Sequence, residues 1–204
     1  MHLIPRADAC SQVIRSVSWQ KKINVLILET ERLILRDFRS EDFDTFYETS
    51  QDTEYQRFYS EKEITREFWK SIFDRIITSV EVEDRLKYQM AICLKTGEMI
   101  GTSGVRIEDQ ENQQASFGCA VARSHWGKGI AFEASHKIID YSFSKLPIHR
   151  IYAETNSENT RARILAKRLK MRQEGELRHN RFFRGKWWNT VIYSILKDEW
   201  QDAT

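Results

Sequence analysis

The spacing of apolar residues changes along the chain, and in the first half it predicts both a strand and helices. Residues 32–36 carry consecutive branched apolar side chains between two arginines, which is typical of a buried strand. From Ile64 to Val80 every fourth residue is apolar, which predicts an amphipathic helix over 63–80 with its aromatic side chains in the core. A shorter helix is predicted from Ser40, whose hydroxyl can cap free N–H groups.

The second half of the chain alternates more quickly between apolar and polar segments. Three strands are predicted over 88–94, 99–107 and 114–121, because the short polar connections between them are typical of antiparallel neighbours. The later predicted elements are a helix at 127–144, a strand at 150–155, a helix at 159–169 and two strands at 173–183 and 187–197. This order, a meander followed by a strand–helix–strand crossover, predicts a mixed α/β (α+β) fold.

Chain length and the N-terminal segment set the predicted domain boundaries. A chain of 204 residues is long enough for one sizeable core and short for two. Residues 1–26 show no clear periodicity, so we interpret them as a flexible or loosely docked extension, with a short helix at 12–19 as an alternative within it. Residues 27–200 then form a single domain.

Charge is distributed unevenly, although the net charge is only +2. Residues 29–84 contain 16 acidic and 8 basic residues, whereas residues 161–186 contain 10 basic and 2 acidic ones. Such a chain could place a basic face near a phosphate-bearing cofactor and an acidic face near a cationic substrate. Solvated helix faces would explain the same pattern.

The cysteine content and the hydropathy of the chain indicate in which cellular compartment we expect the protein. Cys10, Cys93 and Cys119 are too few and too widely spaced for a disulfide framework or a metal knuckle. No apolar stretch approaches the roughly 18 residues of a membrane span, and the N-terminal segment does not resemble a secretory signal. We therefore expect a cytoplasmic protein with no metal and no membrane partner.

Residues 123–131, Arg-Ser-His-Trp-Gly-Lys-Gly-Ile-Ala, lie between a predicted strand and a predicted helix. Glycines at such a turn let the backbone approach a ligand closely, and the first N–H groups of a helix bind anions with help from the helix dipole. Arg123 and Lys128 can add positive charge. A bare Gly-x-Gly often marks only a turn, but the preceding meander and the lack of a dinucleotide-binding or P-loop pattern favour a pyrophosphate site.

The segment Ser124-His-Trp-Gly-Lys-Gly129 resembles the central motif of the GCN5-related N-acetyltransferase (GNAT) superfamily, Gln/Arg-x-x-Gly-x-Gly/Ala, with Ser at the first position. Within the superfamily the chain is similar to the ribosomal-protein-alanine/serine N-acetyltransferase branch. Further similarities follow in order at 29–36, 100–101, 154–162, 174–178 and 185–200. The resemblance implies a mostly antiparallel sheet of six to seven strands, helices on both faces and a central βαβ unit that binds acyl-CoA.

The resemblance also implies how acetyl-CoA would lie. Its pantetheine arm would pair with the backbone of the strand over 114–121 where that strand splays from the strand over 150–155, and its pyrophosphate would lie on the N–H groups of the glycine motif. The implied cofactor-binding residues are Ala120, Val121, Trp126, Gly127, Lys128, Gly129, Ile130, Ala131 and Asn159. A primary amine would then attack the thioester directly, with proximity and backbone N–H groups supplying much of the acceleration.

Acid–base residues follow less directly from the resemblance. Glu154, Glu48 and His179 are the candidate bases, although each could be a surface or structural residue, and a water relay is an alternative. Ala162 stands where some members use a serine, and Ser116 stands where an acidic residue is common. The acceptor and the acid–base roles therefore do not carry over from the family.

Three functions stay open at this point. The preferred one is acetyl transfer to a primary amine, on a protein N-terminus or a small molecule. A catalytically weak CoA-binding regulatory domain is the second. The third is an RNA- or ribosome-associated module that uses the basic, aromatic segment 161–188, although an apolar hairpin face explains those aromatics as well and no nucleic-acid motif is present. The resemblance leaves a homodimer open.

Overall fold

The computed structural model describes residues 25–82 and 84–201 of the 204-residue chain. Its centre is an eight-stranded mixed sheet with the spatial order β1-β2-β3-β4-β5-β6-β8-β7. The strands are β1 (Ile27–Glu29), β2 (Leu33–Asp37), β3 (Lys87–Leu94), β4 (Met99–Asp109), β5 (Gln114–Val121), β6 (Arg150–Asn156), β7 (Arg172–Phe183) and β8 (Lys186–Leu196). Neighbouring strands run antiparallel except for β5 and β6, which are parallel.

Helices cover both faces of the sheet, as the family resemblance implied. They are α1 (Phe43–Ser50), α2 (Thr53–Gln56), α3 (Arg66–Val80), α4 (Ile130–Lys145), α5 (Thr160–Arg168) and α6 (Lys197–Gln201). Short 3-10 turns occupy Ser40–Asp42, Glu61–Ile64 and Arg123–His125. In the described part of the chain, no helix is long and apolar enough to cross a membrane.

The core is divided between the two faces of the sheet. On one face α4 buries Ile138 and Ile139 completely against the apolar side chains of the strands. On the other face α1 and α3 form an aromatic cluster around Phe46, Trp69 and Phe73. The burial of these side chains confirms that the apolar stripe predicted over 63–80 serves core packing. Full burial of one such side chain stabilises the fold by roughly 1.5–3 kcal/mol.

The parallel pair β5 and β6 opens along its length. Pairing is confined to Gln114 through Ser116 on β5 and Arg150 through Tyr152 on β6. Beyond these residues each strand continues with its other neighbour, β4 or β8, while the two strands separate from each other. We call the gap between residues 117–121 and 153–156 the β5–β6 cleft, and the crossover helix α4 starts just past its β5 side.

Several boundaries differ from the prediction. The sheet has eight strands rather than six or seven, because Ile27–Glu29 pairs with β2 as a short edge strand. Ser40 does not cap α1, since residues Ser40–Asp42 form a 3-10 turn in which the Asp42 carboxylate accepts the Arg39 backbone N–H at 2.7 Å. Helix α3 starts only after Thr65, whose hydroxyl accepts the Phe68 N–H.

The short helix α2 was not predicted, and the alternative helix at 12–19 lies outside the described residues. Helix α4 begins at Ile130 rather than at residue 127, because both glycines of the turn are left-handed.

Candidate active site

The β5 side of the β5–β6 cleft presents backbone polar groups that the sheet does not use. The Ala122 N–H bonds to the Ile100 carbonyl of β4 at 2.8 Å. Because ladder bonds alternate along an antiparallel strand, Ala120 also directs its polar groups to β4, whereas Cys119 and Val121 direct theirs into the cleft. Of the two predicted pairing residues, Val121 therefore has its backbone groups in the cleft and Ala120 does not.

The turn that follows β5 is shaped for an anion. Gly127 and Gly129, which bound the segment we call the glycine turn, have φ values of +74° and +78°, a region that residues with a Cβ enter at a cost. The Gly129 carbonyl accepts the first helical bond, from the Glu133 N–H at 3.1 Å. The N–H groups of Ile130 and Ala131 precede that bond, so they are free to bind an anion at the positive end of α4.

Trp126, the first residue of the predicted anion site, has a different role. Its backbone N–H already bonds to the Arg123 carbonyl at 3.1 Å, and its indole N–H donates to the Val121 carbonyl at 2.7 Å. Trp126 thus fixes the end of β5 relative to the glycine turn, and the available donors of the turn begin at residue 127.

A brace from the other end of the sheet supports the glycine turn. The guanidinium of Arg32 donates to the Lys128 carbonyl at 3.0 Å and pairs with the Glu133 carboxylate at 2.6 Å. The Thr30 hydroxyl donates to the same carboxylate at 2.6 Å. Glu133, at the start of α4, therefore links the β1–β2 connection to the glycine turn.

Glu133 is held in its charged form by this brace. Burial alone would raise the pKa of its carboxyl, but the bonds from Thr30 and Arg32 outweigh burial and leave the pKa below its ordinary value. The brace is therefore intact at neutral pH.

Basic side chains lie on both sides of the cleft entrance. The guanidinium groups of Arg123, which follows β5, and Arg161, in the first turn of α5, lie 5.8 Å and 4.2 Å from the Trp126 ring. Their carboxylate partners are Asp52, at 3.5 Å from Arg123, and Glu54, at 4.0 Å from Arg161. Residues 52–59, which we call the α2 bridge, therefore connect the two sides of the entrance.

The β7–β8 hairpin holds the other side of the α2 bridge. Arg184 donates to the Tyr59 carbonyl at 3.1 Å, and Arg181 pairs with Glu63 at 2.9 Å. Phe183 and Trp188 are buried and stacked with their ring centroids 5.0 Å apart. Part of the basic, aromatic segment that raised an RNA-binding alternative is thus used inside the fold.

The three candidate bases are not brought together. Glu154 is exposed on β6, near enough to Tyr152 to help burial and Glu108 raise the pKa of that phenol. Glu48 is exposed on α1 and is not among the α1 residues that line the small cavity beside β5. His179 lies in the bulge of β7 with its ring stacked on Trp187.

Asn159 has a structural use. Its side-chain oxygen accepts the Ala162 N–H at 3.1 Å and so caps α5. The predicted contact between Asn159 and the cofactor would therefore have to use the side-chain NH2 group.

Cys93 and Cys119 are the cysteines in the described part of the chain, and Cys93 is buried. Burial raises the pKa of both Cys93 and Cys119, which agrees with the inference that Cys119 is not a covalent nucleophile. Within residues 25–82 and 84–201 no three His, Cys, Asp or Glu side chains cluster as a metal site would require.

Five of the sixteen acidic residues in 29–84 are paired across the fold. Carboxylates of this segment bind basic side chains far away in sequence, in the pairs Glu29–Lys95, Asp37–Arg85, Asp52–Arg123, Glu54–Arg161 and Glu63–Arg181. These pairs reduce the negative charge that remains for a cationic substrate.

Sequence reasoning missed the residues that support the site. Arg32 and Glu133 are 101 positions apart, and no local pattern indicates their contact. Tyr55 and Tyr59, on the α2 bridge, share a hydrogen bond of 3.0 Å between their hydroxyls. A stretch that is helical for only four residues gives no periodic signal.

Comparison with known proteins gives one consistent result. Residues 32–172 match the family described as an acetyltransferase (GNAT) domain. The N-acetyltransferase p20 of Bacillus licheniformis is 35% identical over 173 residues, which cover 85% of this chain and 97% of that protein. A ribosomal N-acetyltransferase of Bacillus subtilis, YdaF, described as putative, is 32% identical over 53% of this chain and 59% of its own length.

Among solved structures, the spermidine N-acetyltransferase of Vibrio cholerae in complex with CoA and spermine has a TM-score of 0.72. Its sequence is 21% identical, and the match covers 84% of this chain and 99% of that one. At this identity the likeness supports the fold.

Proposed function

From the premise that the chain is an N-acetyltransferase belonging to the GNAT acetyltransferase family, we propose that it transfers an acetyl group from acetyl-CoA to a primary amine. The single observation that carries this proposal is the opening of the parallel pair β5–β6 next to a left-handed glycine turn. That arrangement offers one edge for an extended thioester arm and one cradle for a pyrophosphate.

The residues of the cleft fit acetyl-CoA by their chemistry. The backbone groups of Cys119 and the N–H of Val121 can pair with the amides of the pantetheine arm, as an added strand would, while the Val121 carbonyl stays bonded to the Trp126 indole. The N–H groups of residues 127–131, together with Arg123 and Arg161, suit a pyrophosphate. Adding a Cβ at Gly127 would meet nothing within 4 Å, so the turn leaves open space where phosphate oxygens would lie.

The reaction follows from these positions. A neutral amine attacks the thioester carbonyl, and an N–H of β5 polarises that carbonyl while its oxygen gains charge. Holding donor and acceptor together supplies much of the acceleration. Glu154 or a water relay would take the proton of the attacking nitrogen, since Glu154 lies on the strand opposite β5 across the cleft.

The acceptor is proposed only as a primary amine. A small polyamine agrees with the acceptor of the structural neighbour, and a protein N-terminus agrees with the name of the YdaF relative. The paired carboxylates of the α2 bridge argue against a strongly acidic pocket, so a monoamine or an N-terminus is as well supported as a polyamine.

The proposal is tested by binding and by turnover. We expect acetyl-CoA to raise the melting temperature, because a ligand that binds only the folded state stabilises it. A truncated acetyl thioester without the nucleotide and pyrophosphate should give little rise. Thiol release with a panel of amines then identifies the acceptor class, and an unchanged melting temperature at saturating acetyl-CoA would contradict the proposal.

Two further expectations belong to the same proposal. Cys93 and Cys119 are free thiols, which agrees with a cytoplasmic setting. The outer strand β7 and the hairpin expose Leu177, Phe182 and Trp187, which leaves a surface on which a second copy could dock. Sedimentation analysis of the purified chain tests the homodimer.

A further inference from the structure

A row of polar side chains crosses the sheet at the closed end of the β5–β6 cleft. Arg106 of β4 is in register with Ser116 of β5, which is in turn in register with Tyr152 of β6. Directly paired residues direct their side chains to the same face of a sheet. Ala120, four residues after Ser116, lines a small cavity with Phe46 of α1, so the row lies on the face that carries α1 and α3.

One end of the Arg106 guanidinium is held, and the other is not. Its Nε donates to the Ser116 hydroxyl at 3.1 Å and lies 3.7 Å from the Glu108 carboxylate. The Ser116 hydroxyl in turn donates to that carboxylate at 2.6 Å. Among residues 25–82 and 84–201, the terminal nitrogens of Arg106 have no hydrogen-bond or ion-pair partner. The guanidinium is thus oriented through Nε, while its two NH2 groups keep their donors.

The unpaired end of Arg106 lies beside the first residues of the cleft. A Cβ added at Gly118 of β5 would come within 3.8 Å of a terminal nitrogen of Arg106. Gly118 follows Ser116 by two residues, so it lies where β5 has just separated from β6. Under the proposed function, an extended arm starts at the glycine turn and runs back along β5. Its thioester end would therefore lie toward Gly118 and Arg106.

The same guanidinium faces both the α2 bridge and β6. Burial raises the pKa of Tyr59, and Arg106 is among the charged groups that lower it in part. Burial, Glu108 and Glu154 raise the pKa of Tyr152, and Arg106 likewise counteracts them. Arg106 therefore lies between the α2 bridge and β6, on the side from which an acceptor can approach β5.

A positive charge at this position discriminates among primary amines. A polyamine brings further cationic groups, which the guanidinium repels. An amine that also carries a carboxylate offers the two NH2 groups a charge-assisted pair, for which the planar fork of a guanidinium is suited. Lys87, the register partner of Arg106 on β3, adds a second positive charge to this face. The face is therefore better suited to an acceptor with a carboxylate than to a polycation.

We propose that Arg106 is a specificity-determining residue that binds the carboxylate of the acceptor, and that the acceptor is an amino acid with a free amine and a free carboxylate. The assignment rests on the proposed transfer from acetyl-CoA and narrows its acceptor class. Ser116 is the positioning residue, because its hydroxyl holds the Arg106 Nε. A carboxylate bound by Arg106 places the amine beside Gly118, where the thioester carbonyl would lie.

The test compares each amino acid with its amide, which keeps the amine and removes the carboxylate. Thiol release is measured with glycine, alanine, β-alanine and 4-aminobutyrate, with their amides, and with spermidine as the cationic reference. The wild type should use the best amino acid about tenfold better than its amide by kcat/KM. Arg106→Gln should remove that preference through a higher acceptor KM, while acetyl-CoA still raises the melting temperature. Comparing the ratio between proteins cancels the different basicity of the amines.

Binding gives a second readout that requires no turnover. CoA without an acetyl group is bound first, and calorimetry then measures the affinity for the amino acid and for its amide. Arg106→Gln should weaken binding of the amino acid about tenfold and leave the amide little changed. An amino acid that binds both proteins equally would contradict the assignment.

Two further variants separate the guanidinium fork from its charge. Arg106→Lys keeps a positive charge without the fork, so it should retain part of the preference. Lys87→Gln removes one charge from the same face a strand away and should leave most of the preference. Melting temperatures check that each variant is folded. Equal losses in Lys87→Gln and Arg106→Gln would indicate a general field instead of a bound carboxylate and would overturn the assignment.

The outcomes distinguish this assignment from the proposed function. A wild type that acetylates amides or spermidine as well as it acetylates amino acids would overturn the assignment and leave the proposed function intact. A wild type that neither gains stability from acetyl-CoA nor releases thiol with any amine would overturn both.

Discussion

The glycine turn and the α2 bridge lie at the same cleft, but they are held in different ways. The turn presents backbone N–H groups. It is fixed by short bonds from Arg32 to the Lys128 carbonyl and from Arg32 and Thr30 to the Glu133 carboxylate. The α2 bridge presents side chains and is held at the cleft entrance by ion pairs of 3.5 Å and 4.0 Å. We therefore expect the turn to keep one geometry, and we expect Arg123 and Arg161 to exchange their carboxylate partners for a bound anion.

The difference matches what each side would bind under the proposed function. A pyrophosphate is the same in every turnover, so a cradle of main-chain donors needs only a fixed backbone. An acceptor amine would be selected by the side chains around it. Surface ion pairs contribute only about 0–1 kcal/mol each, so Arg123 and Arg161 are the side chains at the entrance that a bound anion could redirect most easily.

The sharpest test of the rigid side is the glycine turn itself. Gly129→Val forces a β-branched residue into φ +78° and should distort the donors, so affinity for acetyl-CoA should fall about 100-fold while the domain stays folded. Calorimetric titration measures the affinity. Gly97→Val is the matched control, because Gly97 has φ +95° in the turn between β3 and β4 and a Cβ there meets nothing within 4 Å. Equal losses in both variants would refute the cradle.

The brace comes next in expected effect. Arg32→Ala removes the bonds to the Lys128 carbonyl and to Glu133, so the turn should loosen and acetyl-CoA affinity should fall about tenfold, as expected for one or two lost charge-assisted bonds. The same titration measures it. Lys95→Ala breaks the nearby exposed pair with Glu29 and should leave affinity unchanged. An Arg32→Ala protein with wild-type affinity would show that the turn holds its shape alone.

Acidification should weaken the same brace with a defined sign. The pKa of Glu133 is lowered in the folded state, so its contribution to stability is complete above the unfolded value of about 4.3 and is lost as pH falls through the lower folded value. The contribution should be below about 1 kcal/mol, since Arg32 is half exposed. Urea unfolding across pH should show a smaller acid loss for Glu133→Gln than for the wild type, and parallel curves would contradict this.

The smallest expected effect concerns the adaptable side. Asp52→Asn removes the carboxylate that Arg123 contacts at 3.5 Å, which frees the guanidinium for phosphate, so acetyl-CoA affinity should rise about two- to threefold. Asp44→Asn, which breaks an exposed pair with Arg66 elsewhere on the same part of the chain, should have no effect. A loss of affinity in Asp52→Asn would mean that the α2 bridge supports the cofactor side instead of competing with it.

The sequence predicted the frame of the molecule because the frame depends on local patterns. Strand alternation and the four-residue apolar repeat gave seven of the eight strands and the long helices, and burial of Trp69 and Phe73 confirms the core face of α3. Helix starts were placed less well. Ser40 has the right chemistry for a cap, but it lies in a 3-10 turn and no side chain caps α1. Two left-handed glycines delay α4 to Ile130.

The same division applies to the site. The Gly-x-Gly after an apolar strand indicated the phosphate cradle from adjacent residues alone, since backbone conformation there is set by glycine itself. The brace from Arg32, the five long-range ion pairs of the acidic first third and the approach of Tyr59 to Arg106 join residues far apart in sequence. Such contacts arise only when the strands order themselves and the helices pack, because no short-range pattern encodes which distant side chain fills a given space.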